Sequence, residues 1–160
     1  MSESNKPNIE DVDLEILKIL SQDGRTTYHK IASELKKSPV TIKNHIEELI
    51  KNGIIKNYGV QIDFEKLGYN IIAIIEVTIS KGKMLEVEEK ISQHPNTFAV
   101  YDITGTYDAL IFARFKSRDD LSAMIKKFHL SPYVERTNTH IVLNVIKEEN
   151  SLVKLIEKKQ

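Results

Sequence analysis

The sequence predicts an α+β chain in two parts: a helical head, then a body in which strands alternate with helices. Three observations carry this. Up to Gly53 the apolar residues recur at helical spacing. From Tyr69 onward, apolar strand runs alternate with helical runs in the order β-α-β-β-α-β. The stretch between them, Ile54 to Gly68, fits neither pattern and reads as an extended strand and hinge. The domain reading is a flexible N-terminus over 1–8, a helical domain over 9–53, the strand and hinge over 54–68, a sheet domain over 69–148 and a tail over 149–160.

Taken in order, the first helix runs from Asp11 to Gln22. Val12, Ile16, Leu17, Ile19 and Leu20 form its apolar stripe, and its acidic first turn suits the helix dipole. Asp23-Gly24 ends it. A short second helix follows from about Tyr28 to Leu35, capped by Thr26 or Thr27, with Ile31, Ala32 and Leu35 on one face. The third begins at Ser38-Pro39. Ser38 accepts the free amides of the first turn, and Pro39 at the first helical position sacrifices no bond. It ends at Asn52-Gly53, where glycine suits a left-handed stop. Only Lys36, Lys37 and Ser38 separate the second helix from the third, so the two cross steeply. That is helix-turn-helix geometry, which offers the later helix to a DNA major groove.

Ile42, Ile46, Leu49 and Ile50 share one face of that helix and are expected to pack inward. Thr41 and Asn44 on the other side can hydrogen-bond base edges, and Val40 can touch a thymine methyl. Lys36, Lys37, Lys43 and Lys51 are placed for phosphates, together with the Ser38 turn and His45 on the helix flank. The net charge of the 160 residues is zero, but residues 25–46 hold Arg25, Lys30, Lys36, Lys37 and Lys43 against Glu34 alone. A local basic patch is what phosphate binding needs. The expected partner is double-stranded DNA.

The body is read as strands Tyr69–Ser80, Phe98–Ile103, Asp108–Phe115 and Val134–Ile146, with helices Met84–His94 and Arg118–His129. Leu85, Val87 or Glu88, and Ile91 are spaced for one helix face. The arrangement is the ferredoxin-like split, both helices on one face of an antiparallel sheet. In Ile71–Ile75 and Ala109–Ala113 both alternating sets are apolar, so the second sheet face also needs cover. A second copy of the sheet is the simplest cover, which predicts a homodimer. The last residues, SLVKLIEKKQ, read as a short helix or a frayed end.

Several classes drop out. With no cysteine there is no disulfide framework or thiolate metal site. His29, His45, His94, His129 and His140 show no ligand spacing, so no metal, catalytic residue or cofactor is expected. No phosphate loop, nucleophile elbow or dinucleotide fingerprint occurs. No apolar run approaches a membrane span and no signal pattern opens the chain, so the protein is expected in the cytoplasm with no membrane partner.

DVDLEILKILSQDGR, KIASEL with SPVTIKNHIEELIKNGIIK, DFEKLGY, TGTYDALI and VERTNTHIVLNVIKE, in this order from Asp11 to Glu148, resemble the Lrp/AsnC family of leucine-responsive and feast/famine transcription regulators. The resemblance implies a winged-type helix-turn-helix domain and a RAM domain that dimerises through its sheet, often into octamers or larger rings. It implies an amino-acid effector, of unreadable identity, held in clefts between dimers. Carried over by position, the effector residues are Gly105, Tyr107 and Asp108, with Thr137 and Thr139 from the last strand. Backbone amides around Gly105 and the threonine hydroxyls suit a carboxylate, and Asp108 suits an ammonium. Two alternatives share the architecture. One is an effector-independent or architectural DNA-binding protein. The other is an enzyme resembling the siroheme decarboxylases, which needs basic and histidine residues grouped in the second domain, whereas those here are scattered.

Overall fold

A computed structural model describes residues 8–80, 82–148 and 152. The expectations for the N-terminal residues 1–7 and for a helical tail over 151–160 lie outside the described residues, apart from Leu152. The chain forms two compact units that divide between Gln61 and Ile62.

The first unit holds helices α1 (Asp11–Gln22), α2 (Tyr28–Leu35) and α3 (Pro39–Lys51). Their ends follow the local chemistry. The Thr27 hydroxyl accepts the Lys30 amide at the start of α2, and the Ser38 hydroxyl accepts the Thr41 amide at the start of α3. Gly53 closes α3 at φ +70. Ile16, Ile31, Ile42, Ile46 and Leu49 are buried together in a small core, each burial worth about 1.5–3 kcal/mol. Ile50, expected inward, is 46% exposed. It sits about 80° around α3 from Ile42, at the rim of the buried face.

The turn between α2 and α3 contains a feature the sequence did not announce. Lys36 adopts φ 53, ψ 44, the left-handed region. That conformation lets the Lys37 amide reach the Ala32 carbonyl at 2.9 Å and turns the chain into Ser38.

The strand expected over 54–62 is not formed within the chain: these residues carry no ladder. They hold a strand pattern with no partner, since Tyr58, Val60 and Ile62 alternate and are all exposed. The hinge does form a turn, with Asp63 Oδ1 accepting the Lys66 amide and Gly68 at φ +87.

The second unit has strands β1 (Ile71–Ile79), β2 (Thr97–Asp102), β3 (Ala109–Phe115) and β4 (Val134–Ile141), with helices α4 (Met84–Ser92) and α5 (Arg118–His129). The sheet order is β2-β3-β1-β4, antiparallel throughout, as the split β-α-β-β-α-β arrangement requires. Ala73, Ile75, Val77 and Ile79 of β1 and Ala109, Ile111, Ala113 and Phe115 of β3 face the helices and are buried. Leu85, expected on the α4 core face, is 83% exposed. The stripe is instead Met84, Val87 and Ile91, centred about 130° from Leu85. β4 stops at Ile141 rather than Ile146. The reason is register: Ala73 faces Ile141, and the Val142 amide bonds the Ile72 carbonyl next to the first residue of β1. Beyond that point β4 has no neighbour strand, and Leu143 and Ile146 are exposed.

Candidate nucleic-acid interface and effector loop

Helix α3 carries its buried face on Ile42, Ile46 and Leu49, so the opposite line is fixed by the 100° step. Val40, Asn44 and Lys51 fall on that line and are exposed. Val40 is 67% exposed, too open for a core role. Lys36 and Lys37 flank the line from the turn. Lys43 is exposed and lies 3.5 Å from Glu47. Glu47 and Glu48 make the later half of α3 acidic, so only its first two turns suit a phosphate-lined groove. Ser38 and Thr41 are engaged with each other: their hydroxyls lie 2.8 Å apart, and Ser38 holds the Thr41 amide.

His45 does not join this surface. Its Nδ1 lies 2.8 Å from Oδ1 of Asp13 on α1, with side chains only 21% and 8% exposed. Asp13 is the one buried charged residue among those described. Its other oxygen accepts the Glu10 amide at 2.9 Å, which closes the first turn of α1. The acidic first turn read from the sequence as a dipole complement is therefore also a tie between α1 and α3.

In the second unit, the loop from Ile103 to Asp108 is closed by the Ile103 amide on the Asp108 carbonyl at 2.9 Å. Gly105 takes φ +127, where a side chain would be strained. Asp108 is held twice by β1: its amide donates to the Val77 carbonyl at 2.9 Å, and its Oδ2 accepts the Ile79 amide at 2.7 Å. Tyr107 lies under Arg136 of β4, 5.8 Å from guanidinium to ring centre. Gly105, Tyr107 and Asp108 thus lie on one short loop, with Asp108 fixed to β1 and Tyr107 against β4.

Thr137 and Thr139 are placed apart from it. They face Val77 and Ile75 across β1, on the helix side of the sheet. With β1 between β3 and β4, the threonines stand about 10 Å from the start of β3. The Thr137 hydroxyl lies 2.8 Å from His129 Nε2. Thr139 lines a cleft beside α5 with Ile125, Leu130 and Ile141, none of which is a loop residue. His140 points to the other face, 3.2 Å from Glu76 Oε2, and Asn138 donates to the same oxygen. These hydrogen bonds hold the Glu76 carboxyl below the usual range.

Glu88 on α4 was not singled out as a functional residue in the sequence. One of its oxygens is buried without a hydrogen-bond partner. Burial first, and the charges of Asp102 and Asp108 second, raise its pKa. No sequence spacing links these positions; only the fold brings α4 beside the loop. Among the described residues no cluster of His, Asp and Glu side chains could hold a metal ion, and no helix is long and apolar enough to cross a membrane.

Comparison with known proteins matches this division. Residues 9–56 fit the winged helix-turn-helix DNA-binding family and residues 72–152 the Lrp/AsnC ligand binding domain. An HTH-type transcriptional regulator of Pyrococcus furiosus is 38% identical over 141 residues, 88% of this chain and 95% of the relative. The regulator LysM of Saccharolobus solfataricus is 36% identical, over 85% of this chain and 94% of its own. Among solved structures, Escherichia coli AsnC superimposes with a TM-score of 0.85 at 26% identity, over 90% of this chain and 98% of AsnC. A Neisseria meningitidis transcriptional regulator in complex with L-Met gives 0.82 at 25% identity, over 91% and 96%.

Proposed function

Because the chain belongs to the Lrp/AsnC family of transcriptional regulators, we propose that it reads a pseudo-palindromic DNA site with the first two turns of α3 and that an amino acid modulates this binding. The observation that carries the reading is the outward line of α3. Val40 and Asn44 stand exposed beside the basic Lys36-Lys37 turn, and the acidic Glu47 and Glu48 mark where the groove contact stops. Asn44 can pair bidentately with adenine. Lys36, Lys37 and Lys43 supply phosphate contacts, while Ser38 and Thr41 shape the start of the helix.

Two copies pair through the open sheet face. On it, Ile72, Ile74, Leu110 and Phe112 are half-buried in the single chain, and Phe98 and Tyr101 pack on Phe112 with ring centres 6.0 and 5.7 Å away. The partnerless alternation Tyr58, Val60, Ile62 supplies a further strand for such pairing. A symmetric pair presents two α3 helices to two half-sites about one DNA turn apart, or a multiple of it.

The effector reading rests on the loop Gly105–Asp108 and on the L-Met complex of the Neisseria relative. Asp108 Oδ2 is committed to the Ile79 amide, so an ammonium would use Oδ1, with Glu88 beside it. Thr137 and Thr139 join this site only if a neighbouring copy completes it. A thermal-shift panel of the twenty amino acids on the full chain, with sedimentation on any hit, is the test. One amino acid that raises the melting temperature and alters sedimentation supports the reading. No response at millimolar ligand rejects the effector role and leaves a DNA binder that works without one.

A further inference from the structure

A second cleft lies at the C-terminal ends of α4 and α5, with Leu130 bordering both it and the cleft beside Thr139. It is a cavity of about 700 Å³ between the last turns of α4 and α5. Its floor is apolar, made by Val87, Ile91, Phe128 and Val134. Its rim is basic. Lys90 comes from α4 and Lys127 from α5, and neither makes an ion pair among the described residues. The one carboxylate on the rim, Glu86, is held by Lys83 at 2.8 Å, and Lys83 in turn lies over the Tyr133 ring at 4.8 Å. His94 completes the rim. Its Nδ1 accepts the Asn96 amide at 3.3 Å, so in the neutral ring the proton sits on Nε2.

Lysines in a last helical turn have a plain role, since they complement the helix dipole. That role does not need lysines from two helices converging over an apolar floor. Nor does it need a histidine among them, which burial and the nearby Lys127 charge hold below its ordinary pKa. Two terminal carbonyls of each helix are already taken, Glu89 and Ile91 by the Gln93 and His94 amides, and Lys126 and Phe128 by the Leu130 and Ser131 amides.

We propose that this cleft binds a small carboxylate with an apolar body and no α-ammonium, such as an aromatic 2-oxo acid. The carboxylate bridges Lys90 and Lys127 and accepts from His94, and the apolar body lies on Val87, Ile91 and Phe128. The corresponding amino acid is discriminated against, because its ammonium meets two lysines and finds Glu86 occupied. This site is separate from the Gly105–Asp108 loop and does not depend on the effector reading there.

The test uses the full chain with phenylpyruvate as probe, followed by the ring signals of His94 in an NMR titration. A bound carboxylate favours the protonated ring, so the His94 pKa rises on saturation. The variant Lys90→Gln/Lys127→Gln changes exposed side chains and leaves the floor intact. It is expected to weaken phenylpyruvate binding about tenfold or more, the loss of two charge-assisted contacts, while Lys126→Gln does not. Phenylalanine is expected to leave the His94 signals unmoved. The proposal is overturned if phenylpyruvate leaves His94 unshifted at millimolar concentration, if the double variant binds as the parent does, or if phenylalanine binds equally well.

Discussion

Replacing His45 by alanine separates a residue that contacts DNA from one that holds α3 in place. The structure gives the second role. Asp13 is buried, and its Oδ1 has the His45 ring 2.8 Å away. Removing the imidazole leaves that oxygen without this donor inside the core of the first unit. A buried polar group stripped of its partner costs about 1–3 kcal/mol, more when charged. The gain in helix propensity from histidine to alanine returns roughly 0.5 kcal/mol. The net expectation is a loss of about 0.5–2.5 kcal/mol in the first unit and little in the second. Urea unfolding followed by amide exchange on α3 and, separately, on β1 reads the two units independently. Asp13→Asn is the control, since its amide oxygen can still accept the Glu10 amide. In a double-mutant cycle the two changes should couple by at least about 0.5 kcal/mol. If His45→Ala leaves α3 exchange unchanged but costs tenfold in DNA affinity, the inward placement of His45 is wrong and it belongs to the DNA surface.

Other perturbations follow from the same geometry. Lys36→Gly relieves a left-handed non-glycine residue and should stabilise the first unit by roughly 0.5–1 kcal/mol; DNA affinity should fall with the lost charge, and urea midpoints and salt-dependent anisotropy read the two effects. Glu88→Gln removes a carboxylate whose folded pKa is raised above its ordinary 4.5. A raised value means the protonated carboxyl's contribution to stability is full below the ordinary 4.5 and is lost as pH climbs from there through the folded value. The variant should therefore melt higher than the parent at pH 7 and no higher at pH 4, by calorimetry. Asp108→Asn keeps an acceptor for the Ile79 amide and removes the charge, so it should abolish amino-acid thermal shifts without lowering the basal melting temperature; Asp108→Ala confounds the two by breaking the bond to β1.

Most helix ends were legible because their determinants are local. Thr27, Ser38-Pro39 and Gly53 cap or stop helices within three residues of where they stand. The sheet order followed from the run of apolar segments and the short links between them. What was not legible depends on partners far along the chain. Asp13 and His45 are 32 positions apart, and nothing in either neighbourhood marks the pair. The end of β4 is set by where β1 begins, so apolar residues past Ile141 misled the reading. Ile50 and Leu85 were apolar residues in helical runs but stood off the buried stripe, which only packing decides. At the effector loop, the family resemblance pointed to Gly105, Tyr107 and Asp108, which stand within four positions of one another. The bond from the Ile79 amide to Asp108, the approach of Glu88 and the separation of Thr137 and Thr139 are products of register.

Selection of bound duplexes from a random pool by the full chain tests the central claim directly. The account predicts enrichment of two half-sites related by a dyad, their centres about 10 base pairs or a multiple apart, and Asn44→Ala should lose about 1–3 kcal/mol of discrimination at one position of each half-site. A pool that stays random, or an enriched site that Asn44→Ala reads with unchanged preference, would contradict the assignment of α3 as the reader.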